Sequence, residues 1–162
     1  MIYAEIEAFA AALPRTGAVA GLDLGTKTIG VAVSDGLRAI ATPLATIRRT
    51  KFTADAAELD RLLAGREIAG LILGLPRNMD GSEGPRAQST RAFARNLDAR
   101  APRPLAFWDE RLSTVAAERA LLEADTTRKR RGEVIDHVAA SYILQGALDR
   151  MGRIAARADD TG

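Results

Sequence analysis

Residues 21–35 read GLDLGTKTIGVAVSD. Val19-Ala20-Gly21-Leu22 has the composition of a buried strand, and that strand ends on an acid, Asp23. A Gly-Thr turn follows, and a second strand runs from Ile29 to Val33. Two β-rich segments joined by a short glycine-bearing turn predict a hairpin. Gly25 and Gly30 mark places where the backbone turns tightly or approaches a ligand closely. An acid at the exit of a buried strand is costly to hold unless something pairs with it. Either a metal ion or polar substrate meets Asp23, or its side chain caps the turn.

Working outward, strand-like segments cover 18–24 and 28–34. A third covers 39–47, AIATPLATI, where Pro43 argues for an edge position or a bulge. The three predict an antiparallel meander. Ala56, Leu59, Leu62 and Leu63 mark a helix over 53–64. Residues 68–73 are apolar on both faces, as suits the centre of a sheet, and run into Gly74-Leu75-Pro76. The loop 77–84 opens a helix at Pro85, with Ala87, Thr90, Phe93, Ala94 and Leu97 as its inner stripe. That loop is either a phosphate holder at a helix N-terminus or a plain connection. Residues 104–108, PLAFW, form a fifth strand that ends on Asp109-Glu110-Arg111. A helix from Ser113 to Leu122, a basic loop over 125–132 and a largely buried helix over 133–151 complete the domain. Ahead of it, residues 3–13 have the spacing of a short amphipathic helix that stops at Pro14 and packs on the outside of the domain. The chain thus divides into an N-terminal helical extension (1–17), one α/β domain (18–151) and a flexible tail (152–162). The architecture expected is a mixed five-stranded sheet flanked by helices.

Composition narrows the chemistry. The 162 residues contain no cysteine, which removes thiol catalysis and thiolate metal sites, and one histidine, His137, which removes a multi-histidine zinc site. Any metal is therefore held by oxygen, which favours Mg²⁺ or Mn²⁺. No apolar run approaches the roughly 18 residues of a membrane span, and no secretion signal is apparent in residues 1–20. Net charge is only +2, yet the cations cluster at Arg48, Arg49 and Lys51 and again at Arg128, Lys129, Arg130 and Arg131. Two such clusters in one small domain suit a phosphate-rich partner, although each taken alone is ordinary solvated surface. With Trp108 the only tryptophan, extensive base stacking is not expected.

In sheets of this class ligands gather at the carboxyl ends of strands. Asp23, the loop after Pro76, and Asp109-Glu110 all fall there, and Asp136 joins them if the last helix starts beside that edge. Such acids without thiols suit hard cations, and two bridged cations suit phosphodiester hydrolysis. Each acid also has a structural reading. Asp109 and Glu110 can pair with Arg111 or cap a helix, and Asp136 can complement a helix N-terminus.

Four blocks carry a resemblance: GLDLGTKTIGVAVSD, LILGLPRNMDGSEG, WDERLST and IDHVAASYILQ. In this order and spacing, over residues 18–150, the chain resembles the YqgF/RuvX family of proposed pre-16S rRNA nucleases, which are Holliday-junction-resolvase-like. The resemblance implies a ribonuclease H-like fold and a cytoplasmic, metal-dependent nuclease that matures the 5′ end of 16S rRNA. Carried over by position, Asp23 is a metal-binding catalytic acid. Glu110, in preference to Asp109, is the second, and Asp136 is the third, together holding Mg²⁺ or Mn²⁺. A fourth acid on the last helix is absent, since Ala139 and Ala140 stand three and four places after Asp136, so Asp109 or a substrate phosphate would complete the shell. Lys27 and Thr28 on the turn, Arg77 and Asn78 in the loop, and Arg128 to Arg131 are the expected substrate contacts. Arg111 belongs with them or orients the acids. The partner expected is nucleic acid, pre-16S rRNA ahead of branched DNA, with no membrane and a monomer or weak homodimer. The alternatives are a four-way junction resolvase, which needs a dimer, and a non-catalytic RNA-binding ribosome-assembly factor.

Overall fold

Strand β2, Ala18–Leu24, is buried along almost its whole length and lies at the centre of the fold. Its sequence lacks the polar alternation of a half-exposed strand because both of its faces are covered. A computed structural model describes the backbone of residues 1–112 and 128–161 and the side chains of 1–112 and 136–159. In it β2 pairs antiparallel with β3, Thr28–Ser34, and parallel with β5, Ile68–Leu75. Outside β3 lies β4, Ala41–Arg48, and outside β5 lies β6, Leu105–Asp109. The meander expected from the sequence is present. Pro43 sits on an edge strand at a register shift between Val31 and Ala32, so both explanations for it hold.

The sheet has six strands rather than five. Ile2–Tyr3, expected as the start of a helix, instead forms β1 and pairs parallel with Leu105–Ala106 of β6. Helix α1 is correspondingly shorter, Ile6–Ala12. Its Phe9 is fully buried in the core. The strand order is β1-β6-β5-β2-β3-β4. Strands β2 to β6 alone reproduce the ribonuclease H-like arrangement of a meander joined to two parallel strands.

Alternation along each strand sends side chains to two separate cores. On one face Leu22, Leu24, Ile29, Val31, Leu71 and Leu73 pack with α2, Phe52–Leu63, and α3, Pro85–Arg100. The inner stripe expected for α3, from Ala87 to Leu97, is buried throughout. On the other face Val19, Ala32, Ile72, Ala106 and Trp108 pack with α1 and the last helix, α4.

Helix α4 runs from Arg128 to Thr161. It begins before Glu133, so residues 128–132 are helical rather than loop, and it continues past Met151, where the sequence suggests a tail. It is less evenly buried than expected. Ala139-Ala140, Ile143-Leu144 and Ala147-Leu148 form one buried stripe at helical spacing, while Asp149 and Arg153 are exposed. The expected helix over 113–122 and residues 125–127 of the expected basic loop lie outside the described residues.

The stripe lies close to the sheet because the strands beneath it carry glycine. A β-carbon on Gly21 would sit 2.7 Å from Leu144 Cβ, and one on Gly74 would sit 2.5 Å from Ile143 Cδ1. On Gly30 it would collide with the main-chain carbonyl of Asp136. Gly30 is therefore a site of close backbone approach, as its sequence context suggested, but what approaches is a helix and not a ligand. Gly30→Ala should destabilise the protein by about 3 kcal/mol or more, since overpacking against backbone has no flexible group to absorb it. Gly36→Ala, with nothing within 4 Å, is the control and should be close to neutral. Urea denaturation of both variants tests this; equal stabilities would mean that α4 does not rest on Gly30.

Candidate active site

Asp23 is the penultimate residue of β2 and lies opposite Gly30 of β3. Alternation places it on the same face as Val19 and Gly21, which is the α4 face. Its surroundings bury it to 4 % exposure. A side chain on Gly30 is excluded by the α4 main chain, which at Asp136 stands where its β-carbon would be. Two residues before Gly30 on the same face, Thr28 Oγ1 donates to Asp136 Oδ2 over 2.6 Å. One strand pair thus carries Asp23 and, through Thr28 and Gly30, fixes the position of Asp136.

Glu110 arrives from the other side of β2. Strand β6 ends at Asp109, and a 3-10 turn, Glu110–Leu112, carries the chain back over the sheet end. Glu110 Oε1 lies 2.8 Å from where a β-carbon of Gly74 would stand, and it is buried. Gly74 follows Leu73, the partner of Leu22 in β2, so it borders Asp23. Asp23, Glu110 and Asp136 therefore occupy one face and one end of the sheet, with Asp136 over Gly30 and Glu110 over Gly74.

Asp109 belongs to the opposite face. Trp108 packs on α4, with its indole 2.8–2.9 Å from where a β-carbon of Gly146 would sit, so its neighbour Asp109 points the other way. There the Asp109 carboxylate accepts from Arg111 Nε and Nη2, at 2.7–3.1 Å, and from the Arg111 main-chain N–H at 3.0 Å. Arg77 Nη1 stands 3.8 Å away. Arg111 beside it holds the Asp109 carboxyl below the usual carboxylate range.

The same arginines bind the loop that follows β5. Arg111 Nη1 reaches the carbonyls of Asn78 and Met79 at 3.4–3.5 Å. Arg77 Nη2 pairs with Glu83 at 3.4 Å, and Glu83 takes both ends of Arg91 at 2.6–2.7 Å. Arg91 in turn lies over the Phe107 ring at 4.9 Å. Asn78 closes the loop on itself through Ser82, with its main-chain N–H donating to the Ser82 carbonyl at 2.9 Å. Arg77, Asn78 and Arg111, expected at the substrate, are thus engaged in holding the loop and Asp109. Thr28, also expected there, has its hydroxyl on Asp136, while Lys27 is exposed on the turn. The side chains of Arg128 to Arg131 lie outside the described residues.

Glu83 and Arg91 were not singled out in the sequence. An acid and a base eight residues apart across a loop-to-helix junction carry no periodic signal. His137 is not directed at the acids; its Nδ1 lies 3.0 Å from Thr46 Oγ1 on β4. Among the described residues no three acidic or histidine side chains stand close enough together to hold a metal ion as they are. The donor chemistry nevertheless fits a hard divalent cation: three carboxylates and no thiol.

A model of the RuvX family, described as Holliday junction resolvase, matches residues 17–150. A protein of Cereibacter sphaeroides (strain ATCC 17029) named "Putative pre-16S rRNA nuclease" is 77% identical over 151 residues, 93% of this chain and 94% of that one. One of the same name from Paracoccus denitrificans is 76% identical over 93% of this chain and 96% of that one. Among solved structures, Thermus thermophilus RuvC in complex with Holliday junction substrate aligns at TM-score 0.49 and 14% identity, over 84% of this chain and 96% of that one. The family match covers strands β2 to β6, including the acid-bearing end of β2, and α4 as far as Arg150, so this chain belongs to the RuvX family of nucleases.

Proposed function

We propose that the chain is a metal-dependent endonuclease that hydrolyses phosphodiester bonds while processing the 5′ end of pre-16S rRNA, in the cytoplasm where ribosomes are assembled. The observation that carries this reading is the placement of Asp23, Glu110 and Asp136 at one end of one sheet face. The relatives named for pre-16S rRNA nuclease activity cover nearly the whole chain at more than three-quarters identity, which supports RNA as the substrate. Among the described residues no helix is long and apolar enough to cross a membrane.

In this reading Asp23, Glu110 and Asp136 hold Mg²⁺ or Mn²⁺. When bound, such an ion neutralises charge at the scissile phosphate and lowers the pKa of an attacking water. The chain supplies the rest by position. Burial of Asp23 keeps its carboxylate fixed and away from competing water. Thr28 aims Asp136 by binding its Oδ2. Lys27, on the exposed turn beside Asp23, meets the backbone phosphate. Water oxygen bonds to phosphorus, the P–O3′ bond breaks, and O3′ takes up a proton, giving 5′-phosphate and 3′-hydroxyl ends. Arg111 acts as a positioning residue, tying Asp109 and the loop 77–84 so that the 3-10 turn carrying Glu110 starts from a fixed point.

The family description favours a second reading, cleavage of four-way DNA junctions. A symmetric junction needs two active sites, hence a dimer, whereas RNA processing needs one.

Asp23→Asn should lower cleavage of an RNA spanning the 5′ end of mature 16S rRNA by at least about 100-fold, with binding close to wild type. Thr28→Val should cost about 10-fold to 100-fold, as loss of an outer partner of a metal ligand does. Both are read with Mg²⁺, with Mn²⁺ and with chelator, beside a synthetic four-way junction. Full activity in Asp23→Asn would remove Asp23 from the site. Symmetric cutting of the junction alone would establish the resolvase reading, and tight RNA binding without any cutting would indicate an assembly factor.

Arg111 gives a prediction in pH. Because the folded Asp109 carboxyl titrates below its unfolded value of about 3.9, the pair stabilises the fold fully above that value. The contribution is lost as pH falls through the lowered folded one. Arg111→Gln should therefore be less stable than wild type at pH 6, and the difference should narrow at about pH 3, below the unfolded value. Urea midpoints at the two pH values test this; a difference independent of pH would mean that Arg111 acts only through the loop carbonyls.

A further inference from the structure

The turn between β2 and β3 has two sides. Asp23 lies on the α4 side. On the other side Arg49, just beyond the end of β4, donates from Nη1 to the Gly25 carbonyl at 2.7 Å. Arg86, in the first turn of α3, donates from Nη2 to the Leu24 carbonyl at 3.2 Å. Both line a cleft of about 140 Å³ whose other walls include Thr26 and Ser89. The Arg49 guanidinium is held in place from a second direction, with its Cζ 5.7 Å from the centre of the Phe93 ring.

These two arginines, like Arg38 on the carbonyls of Gly17 and Pro14, sit on main-chain oxygen rather than on a carboxylate. Arg61, Arg77, Arg91, Arg100, Arg111 and Arg150 each pair with a carboxylate. Among the described residues Arg49 and Arg86 pair with none; each donates to a main-chain carbonyl, and Arg49 also lies against the Phe93 ring. A carbonyl satisfies one N–H but cancels no charge, and each guanidinium carries five donors in a fixed fork. Capping two carbonyls needs only neutral donors. Setting two full positive charges in one cleft is unfavourable unless an anion enters between them. The cleft accommodates a single phosphate group, and its arginines are ordered before any ligand arrives, which lowers the cost of binding.

We propose that Arg49 and Arg86 form a seat for a backbone phosphate of the substrate strand. The strand would cross the β2–β3 turn, with the scissile phosphate at Asp23 on one side and a flanking phosphate in this cleft on the other. The assignment rests on the nuclease reading for the identity of the ligand, a phosphodiester, and on the geometry alone for the presence of an anion seat.

The test is binding of fluorescently labelled RNA across a range of salt concentrations, in chelator so that nothing is cut. Wild type is compared with Arg86→Gln, Arg86→Lys and Ser89→Glu, each checked by thermal denaturation. Loss of one phosphate contact should lower the slope of log affinity against log salt by about 1. Arg86→Gln and Ser89→Glu should both show that loss, and Arg86→Lys should restore the wild-type slope. Ser89→Glu alters the charge of the cleft without touching either turn hydrogen bond, so it decides the matter if Arg86→Gln unfolds. Unchanged slopes in folded Arg86→Gln and Ser89→Glu would overturn the seat and leave Arg86 as a staple of the turn, even with cleavage intact. A lowered slope in a protein that never cleaves would uphold the seat while the nuclease reading fails. Inorganic phosphate forms a separate arm, followed by the amide shifts of Gly25 and Thr26. If free phosphate shifts them while the RNA slopes stay equal, the cleft binds a small anion and the strand path is overturned.

Discussion

The contact on which the rest depends is the approach of the α4 main chain to the sheet at Gly30. A helix normally stands about 10 Å from a sheet, spaced by side chains on both. Here Gly21, Gly30 and Gly74, on three adjacent strands, remove the spacers from one side, and Ala140 and Leu144 meet the glycines from the other. The result is that Asp136 reaches the level of Thr28 and its carboxylate can be fixed by that hydroxyl. With a larger residue at position 30 the helix would ride higher, and Asp136 would lose its place beside Thr28. Packing and chemistry are in this sense one constraint, because the residues that let the helix dock are the neighbours of the acids.

The same constraint explains why Ala139 and Ala140 stand where a fourth acid is sought. Both are buried, and the Ala140 carbonyl lies 3.2 Å from where a β-carbon of Gly21 would sit. A carboxylate there would be pressed into an apolar interface without water, at a cost of several kcal/mol. The helix therefore carries an acid at Asp136, just ahead of the buried stripe, and small residues further along.

Much of this was legible in the residues. Burial of the strand 68–75, the edge position of Pro43 and the inner stripe of α3 follow from periodicity and from the missing N–H of proline, both local properties. The two-residue strand at Ile2–Tyr3 was not legible. Two residues carry no period, and their pairing depends on the exposed edge of β6, which lies a hundred positions away in the sequence. The start of α4 was also missed, because Arg128-Lys129-Arg130-Arg131-Gly132 reads equally as a solvated loop and as the polar first turns of a helix. For the site, the spacing of Asp23, Glu110 and Asp136 could be read, but their common face depends on how three strands register. Of the arginine network only the pairing of Asp109 with Arg111 was legible, since the contacts of Glu83 with Arg77 and Arg91 depend on how the loop before α3 folds.

Strand alternation bears on which member of the Asp109-Glu110 pair faces the chemistry. In β6 Ala106 and Trp108 belong to the α4 core, while Leu105 and Phe107 belong to the other. Asp109 continues the second series and arrives among arginines, where three donors from Arg111 bind its oxygens. Glu110 is the next residue on the α4 side, and the 3-10 turn lets its longer side chain reach back over Gly74 to the border of Asp23. An aspartate at position 110 would be one methylene short of that reach. A glutamate at position 109 would push its carboxylate past the guanidinium that now receives it. The two acids are therefore not interchangeable copies. One fixes the end of the strand, and the other extends from that fixed point into the site.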